Sequence, residues 1–185
     1  WLVFVTLLLC VWVVFHSLFE MWKKIRTAKA GVVAGFKRLS LSYRGMVIAH
    51  IGMAITVAGV AMTANYDVER DVRMSAGDEV NIGPYHFVFE GVKDVEGPNY
   101  FATRGIVSVT QDGEHIAILT PEKRRYHVRK DMMTEAAIDA GFTRDLYVAL
   151  GEPLADGSWA VRIYFKPFMR WVWGGGMIMA LGGFV

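Results

Sequence analysis

Three apolar blocks are set into a chain that is otherwise polar or alternating. The first, 1–19, has nineteen residues without a charge, interrupted only by Thr6, His16 and Ser17. The second, 45–62, reads Gly45-Met-Val-Ile-Ala-His50-Ile-Gly-Met-Ala-Ile-Thr-Val-Ala-Gly-Val-Ala-Met62. The third, 167–185, carries one charge, Arg170, near its start. Each approaches the roughly 20 residues with which a helix crosses a bilayer at about 1.5 Å per residue. The pattern predicts three transmembrane α-helices.

Between the second and third blocks the pattern changes. Residues 63–166 show short runs of alternating or β-branched character, separated by turn residues. Tyr85-His-Phe-Val-Phe-Glu90 alternates after Gly83-Pro84. Gly105-Ile-Val-Ser-Val-Thr110 leads into Gln111-Asp112-Gly113, a hairpin turn signal, and His115-Ile-Ala-Ile-Leu119 follows. A later pair, 145–150 and 158–165, flanks Ala155-Asp156-Gly157. Thr134-Glu-Ala-Ala-Ile-Asp139 reads as one helical turn. About six strands with regular turns predict an inserted all-β domain, a small antiparallel barrel or sandwich, and about 100 residues suffice for a modest core.

Charge orients this arrangement. The segment 20–44 holds Lys23, Lys24, Arg26, Lys29, Lys37, Arg38 and Arg44 against a single acid, Glu20. Basic residues concentrate in cytoplasmic loops, so 20–44 is expected in the cytoplasm. A nucleic-acid patch is the other reading of such a run, and the flanking lipid spans argue against it. Residues 63–166, with 17 acids and 12 Lys and Arg for a net of −5, then lie on the opposite face, the periplasm in a bacterium. The 54% hydrophobic composition exceeds what a soluble domain of this size needs. There is no initiator Met and the last residues are apolar, so a portion of a larger polytopic protein is expected. The first block lacks the basic start and small-residue cleavage site of a signal peptide. The lone Cys10 excludes a dithiol role for 63–166 and reads as a small buried apolar residue.

His50 is the chemically informative residue. An ionisable group at membrane depth is costly and marks a functional site by default, and neutral imidazole is the commonest metal ligand. A haem ligand, a proton relay and a histidine bonded to a neighbouring helix all remain open on position alone. Gly45, Ala49, Gly52, Ala54, Ala58 and Gly59 keep this helix thin, permitting close approach of another helix or of a flat macrocycle. His50 lies roughly five residues in from the basic loop, about 7 Å at helical rise. His16 lies at similar depth, so a His16/His50 pair is geometrically open, as is a His16 that snorkels to the interface. His86, His115 and His127 form no HxH or HxxxH cluster and read as surface histidines. The run Lys123, Arg124, Arg125, Arg129 and Lys130 suits an acidic partner, haem propionates or an exposed strand face. Trp171 and Trp173 read as an interfacial anchor. Gly174-Gly175-Gly176 and Gly182-Gly183 point to tight helix packing. The chain carries no P-loop, GxGxxG, HExxH or Ser/His/Asp arrangement.

Several longer stretches are recognisable in order. They are Arg44-Gly-Met-Val-Ile-Ala-His50-Ile-Gly-Met-Ala, Gly97-Pro-Asn-Tyr100, Leu119-Thr-Pro-Glu-Lys-Arg124, Thr134-Glu-Ala-Ala-Ile-Asp139, Thr143-Arg-Asp-Leu-Tyr-Val-Ala-Leu-Gly-Glu-Pro153 and Trp159-Ala-Val-Arg-Ile-Tyr-Phe-Lys-Pro167. Together they resemble the C-terminal part of the CcmF family of cytochrome c-type biogenesis proteins, to which NrfE-type paralogues are similar. The resemblance implies a haem lyase of the bacterial inner membrane, a multi-pass protein with 63–166 in the periplasm. Such proteins take haem, their substrate, from a CcmE-like haem chaperone. They attach it to the CxxCH cysteines of apocytochrome c, presented by CcmH/CcmI-like partners. The resemblance also implies a resident haem b between two transmembrane histidines, proposed to reduce the incoming haem, with His50 matching one axial ligand. The second ligand, the periplasmic histidines and the motif Trp-Gly-x-x-Trp-Trp-x-Trp-Asp lie upstream in the family, and nothing here matches that motif. Catalytic residues are therefore not assigned on this chain. The rival reading is a non-enzymatic membrane-anchored scaffold whose periplasmic domain docks maturation partners. A transporter or proton relay is disfavoured because His16 alone offers a second ionisable group at matching depth.

Overall fold

The computed structural model describes residues 1–27, 31–128 and 131–185 and divides into two compact units, 1–66 with 167–185, and 67–166. The first unit is helical. It contains α1 (Leu2–Thr27), α2 (Val32–Arg38), α3 (Leu41–Tyr66) and α4 (Met169–Phe184). Helices α1 and α3 are long and apolar enough to cross a membrane, whereas α4 has 16 residues.

Both long helices run past the expected spans of 1–19 and 45–62. Lys23, Lys24 and Arg26 occupy the last turns of α1, where cations complement the exposed carbonyls of a helix C-terminus. The segment 20–44 is accordingly less a loop than the end of α1, the short α2 and the start of α3. Ser40 starts α3 by accepting the Tyr43 backbone N–H on its Oγ at 3.2 Å, the N-cap contact expected of serine.

Small residues set the packing of α3. Cys10, Ala54 and Ala58 are buried together, with Leu7, Val13 and Val14 against them. On another side, Gly45, Gly52 and Gly59 meet α4. A Cβ on Gly52 would lie 2.5 Å from the Met179 nitrogen and 2.7 Å from the Gly175 oxygen. One on Gly45 would collide with the Gly182 carbonyl. Three glycines spaced by seven thus let two antiparallel backbones touch, and the glycine-rich third block packs as expected. At the end of α3, Thr63 Oγ1 donates to the Pro167 carbonyl at 2.6 Å.

The second unit is a two-sheet β structure. One sheet has the order β1 (Val68–Met74), β10 (Trp159–Pro167), β9 (Arg144–Pro153), β8 (Ala137–Ala140). The other has the order β2 (Glu79–Ile82), β3 (Tyr85–Glu96), β4 (Tyr100–Gln111), β6 (Glu122–Tyr126), β7 (Met132–Glu135), with β5 (Glu114–Leu119) also paired to β4. Alternate residues of the two sheets form one core: Phe87, Phe89, Val107 and Val109 from one, Leu146, Val148, Leu150, Val161 and Ile163 from the other. Arg144 adds a polar tie between the sheets, its Nε donating to Tyr85 Oη at 3.0 Å while Nη1 donates to the Asp139 carboxylate.

The turn expected at Asp112-Gly113 forms, with φ of 51° and 82°, the positive pair of a type I′ hairpin. Among the described residues ten strands replace the expected six or so. The helical turn expected at 134–139 is absent: Glu135 pairs with Glu122 in one sheet and Ala137 with Val148 in the other. Ladder pairing on both sides of Ala136 overrides the local helical preference of Glu-Ala-Ala.

Candidate functional site

His50 sits on α3 with its ring exposed. Nδ1 lies 2.8 Å from the Met46 carbonyl oxygen, one turn earlier. A carbonyl only accepts, so Nδ1 carries a proton, and in the neutral ring that leaves the lone pair on Nε2. A carbonyl on one ring nitrogen is the usual partner of a histidine whose other nitrogen binds a metal, because it fixes tautomer and ring direction.

His50 lines a cleft of about 360 Å³ between α1 and α3. From α3 it is lined by Tyr43, Met46 and His50, spaced so that all three share one helical face. From α1 come Trp12, Val13, His16, Ser17, Glu20 and Lys24, a face with the same helical repeat. At one end the Lys24 ammonium lies 3.8 Å from the centre of the Tyr43 ring, fixing the level of one helix against the other. Eight residues from this point along each antiparallel helix lead to His16 on α1 and to position 51 on α3. The two histidines are therefore level, as their sequence positions suggested. His16 stacks on Trp12, ring centres 5.9 Å apart.

The other histidines stand apart from this cleft. His86 shares Nδ1 with Asn81 Oδ1 at 2.7 Å and faces Glu79 through Nε2 at 3.2 Å, a cross-strand arrangement that holds β2 to β3. His115 is exposed at the start of β5. His127 packs on Phe101, ring centres 4.8 Å apart. The basic run resolves residue by residue. Lys123 is buried and donates to Glu152 at 2.6 Å, Arg124 bonds Glu122, and Arg125 is exposed on β6; Arg129 and Lys130 lie outside the described residues. The run thus forms a strand, but not the exposed face expected: Lys123 is buried, Arg124 is half-buried and Arg125 is exposed.

The small residues of α3 serve helix packing rather than the cleft: Gly45, Gly52 and Gly59 meet α4, and Ala54 and Ala58 are buried with Cys10. Room beside His50 comes from Met46 and the gap to α1. The sequence reading also missed Lys24 and Tyr43 as cleft residues, although the helical repeats 16, 20, 24 and 43, 46, 50 carried that signal. The His50 imidazole, walls of Trp12, Val13 and Met46, Ser17 beside His16, and donors from Lys24 and Tyr43 at one end form a donor set that suits haem.

The model of the CcmF C-terminal β-sandwich family matches residues 65–167. The cytochrome c-type biogenesis protein CcmF of Pseudomonas aeruginosa is 52% identical over 183 residues, covering 99% of this chain and 28% of that protein. CcmF of Escherichia coli K12 is 56% identical over 146 residues, 79% of this chain and 23% of that protein. NrfE of Haemophilus influenzae is 35% identical over 179 residues, 97% of this chain and 26% of that protein. The chain thus spans little more than a quarter of the length of the curated relatives it matches. Among solved structures, "Cytochrome c Heme Lyase CcmF" superposes over 99% of this chain and 33% of its own length, with a TM-score of 0.70 and 17% identity, a likeness of fold.

Proposed function

From the premise that this chain belongs to the CcmF family of cytochrome c-type biogenesis proteins, we propose that it is part of a haem lyase of the bacterial inner membrane, with His50 an axial ligand of a transmembrane haem b. The observation that carries the ligand reading is the His50 ring itself. Its Nδ1 lies 2.8 Å from the Met46 carbonyl oxygen, and the residue lines the cleft between α1 and α3.

When bound, haem b supplies a one-electron redox centre, suited to keeping an incoming haem ferrous for thioether formation. The residues of this chain do the holding. Met46 orients the imidazole through its carbonyl and lines the cleft one turn away. Trp12 and Val13 exclude water from the opposite wall. The second axial ligand is assigned outside this chain, with His16 the less favoured candidate within it. The sandwich is assigned to the periplasmic side, where it serves the CcmE-like chaperone, the CcmH/CcmI-like partners and apocytochrome c. The basic residues of 20–44 support this orientation.

The test is His50→Ala in the full-length membrane protein. Loss of b-haem absorbance together with loss of cytochrome c assembly, at unchanged protein level, is the expected result. Retention of both removes the ligand assignment and leaves the scaffold reading.

A further inference from the structure

We propose that Lys24, presented on the face of Tyr43, binds the carboxylate edge of the haem held by His50. The inference rests on the ligand reading above and adds to it a specificity-determining residue.

Lys24 lies in the last turns of α1, yet it is aimed across the gap to α3 rather than along its own helix. Its ammonium stands 3.8 Å from the Tyr43 ring centre. The nearest acid on its own helix, Glu20, lies 3.9 Å from Lys23 Nζ instead. Among the described residues no ion pair to Lys24 is formed. A cation over an aromatic face keeps all its N–H donors available, because the ring quadrupole attracts it without accepting a directional bond. An ammonium held this way is free to pair with an anionic group that enters the cleft.

Position supplies the second half of the argument. Tyr43 and His50 are seven residues apart on one face of α3, about 10 Å along the axis. That span matches the reach from a porphyrin iron to its propionate carboxylates. One end of the cleft therefore offers an iron ligand, and the other offers an ammonium. Between them the cleft is lined by Met46 from α3 and by Ser17 and Glu20 from α1. The ligand that satisfies both ends is a flat metallated macrocycle with carboxylates on one edge. That edge points toward the basic segment 20–44, the end at which a lysine reaches water most easily.

The experiment compares iron protoporphyrin IX with its dimethyl ester, each titrated into the purified full-length apoprotein and followed by Soret absorbance. Charge-assisted hydrogen bonds to a carboxylate predict that wild type binds the diacid at least about tenfold more tightly than the diester. Lys24→Gln brings the two toward parity by weakening the diacid alone, and Lys24→Arg keeps most of the preference. Tyr43→Leu, which leaves the ammonium unsupported, gives an intermediate preference. An undiminished preference for the diacid in Lys24→Gln, or none in wild type, overturns the proposal. Failure of the underlying ligand reading looks different: His50→Ala would then bind both compounds as wild type does.

Discussion

Val68 and Phe165 stand opposite each other in the antiparallel β1–β10 ladder, a register that continues without a break to Met74 and Trp159. The chain therefore enters and leaves the sandwich by hydrogen-bonded neighbours. Cutting at 67 and 166 severs no pair of this ladder.

Residues 67–166 are accordingly expected to fold when produced alone. A cooperative urea transition worth about 5–15 kcal/mol, ordinary for a domain of this size, is the expected outcome. Trp159, the one tryptophan in this segment, packs against the core and reports the transition by fluorescence. A broad, non-cooperative loss of signal would show that the sandwich depends on the helical unit.

Glu122 gives the sandwich an acid-sensitive point. It is 5% exposed and accepts Arg104 Nε at 2.5 Å and Arg124 Nε at 2.7 Å. Burial by itself would raise its pKa, but the hydrogen bonds and charges of Arg124 and Arg104 outweigh burial and hold it below the ordinary value. A lowered folded-state pKa means stability that is complete above about pH 4.3, the unfolded glutamate value, and is lost as pH falls through the folded one. Glu122→Gln is expected to cost about 2 kcal/mol at pH 7, because it removes the charge that Arg104 and Arg124 share, although Arg124 keeps Glu135. Denaturation midpoints taken from pH 7 to pH 3 should converge for variant and wild type as acidity increases. A constant gap across that range would refute the assignment.

Gly52→Ala tests the contact between α3 and α4. Its new Cβ would meet backbone atoms at 2.5 and 2.7 Å, so the helices must separate. Overpacking of this kind costs about 1–3 kcal/mol. Gly174→Ala is the control, because a Cβ there meets nothing within 4 Å. Thermal inactivation in detergent should fall for the first variant and stay level for the second. Equal behaviour would mean that α4 is not held where the glycines place it.

The long apolar helices and the strands with clear alternation were legible in the sequence because each obeys one period over many residues. Tyr85-His-Phe-Val-Phe and the Asp112-Gly113 turn needed no tertiary information. Strand β1 was not legible: Glu69, Arg70, Asp71 and Arg73 give it the look of a solvated loop, and it becomes a strand by pairing with β10, where Asp71 receives two hydrogen bonds from Arg162 at 2.5 and 2.7 Å. The split at Ala136 between two sheets is likewise a property of partners far away in sequence. In the helical unit, His50 announced itself by its cost at membrane depth. Lys24 did not, because a basic residue after an apolar span reads first as a topology signal. Its second role emerges only when the pitch of α1 is set against that of α3.

The glycine contact has a directional consequence. Residues 50 and 52 differ by about 200° around a helix axis, so the imidazole and the central glycine leave α3 on nearly opposite sides. With backbone meeting backbone behind it, α3 has no slack to roll about its own axis. The compass bearing of the His50 nitrogen is thus set from the far side of the helix, by three residues that have no side chains.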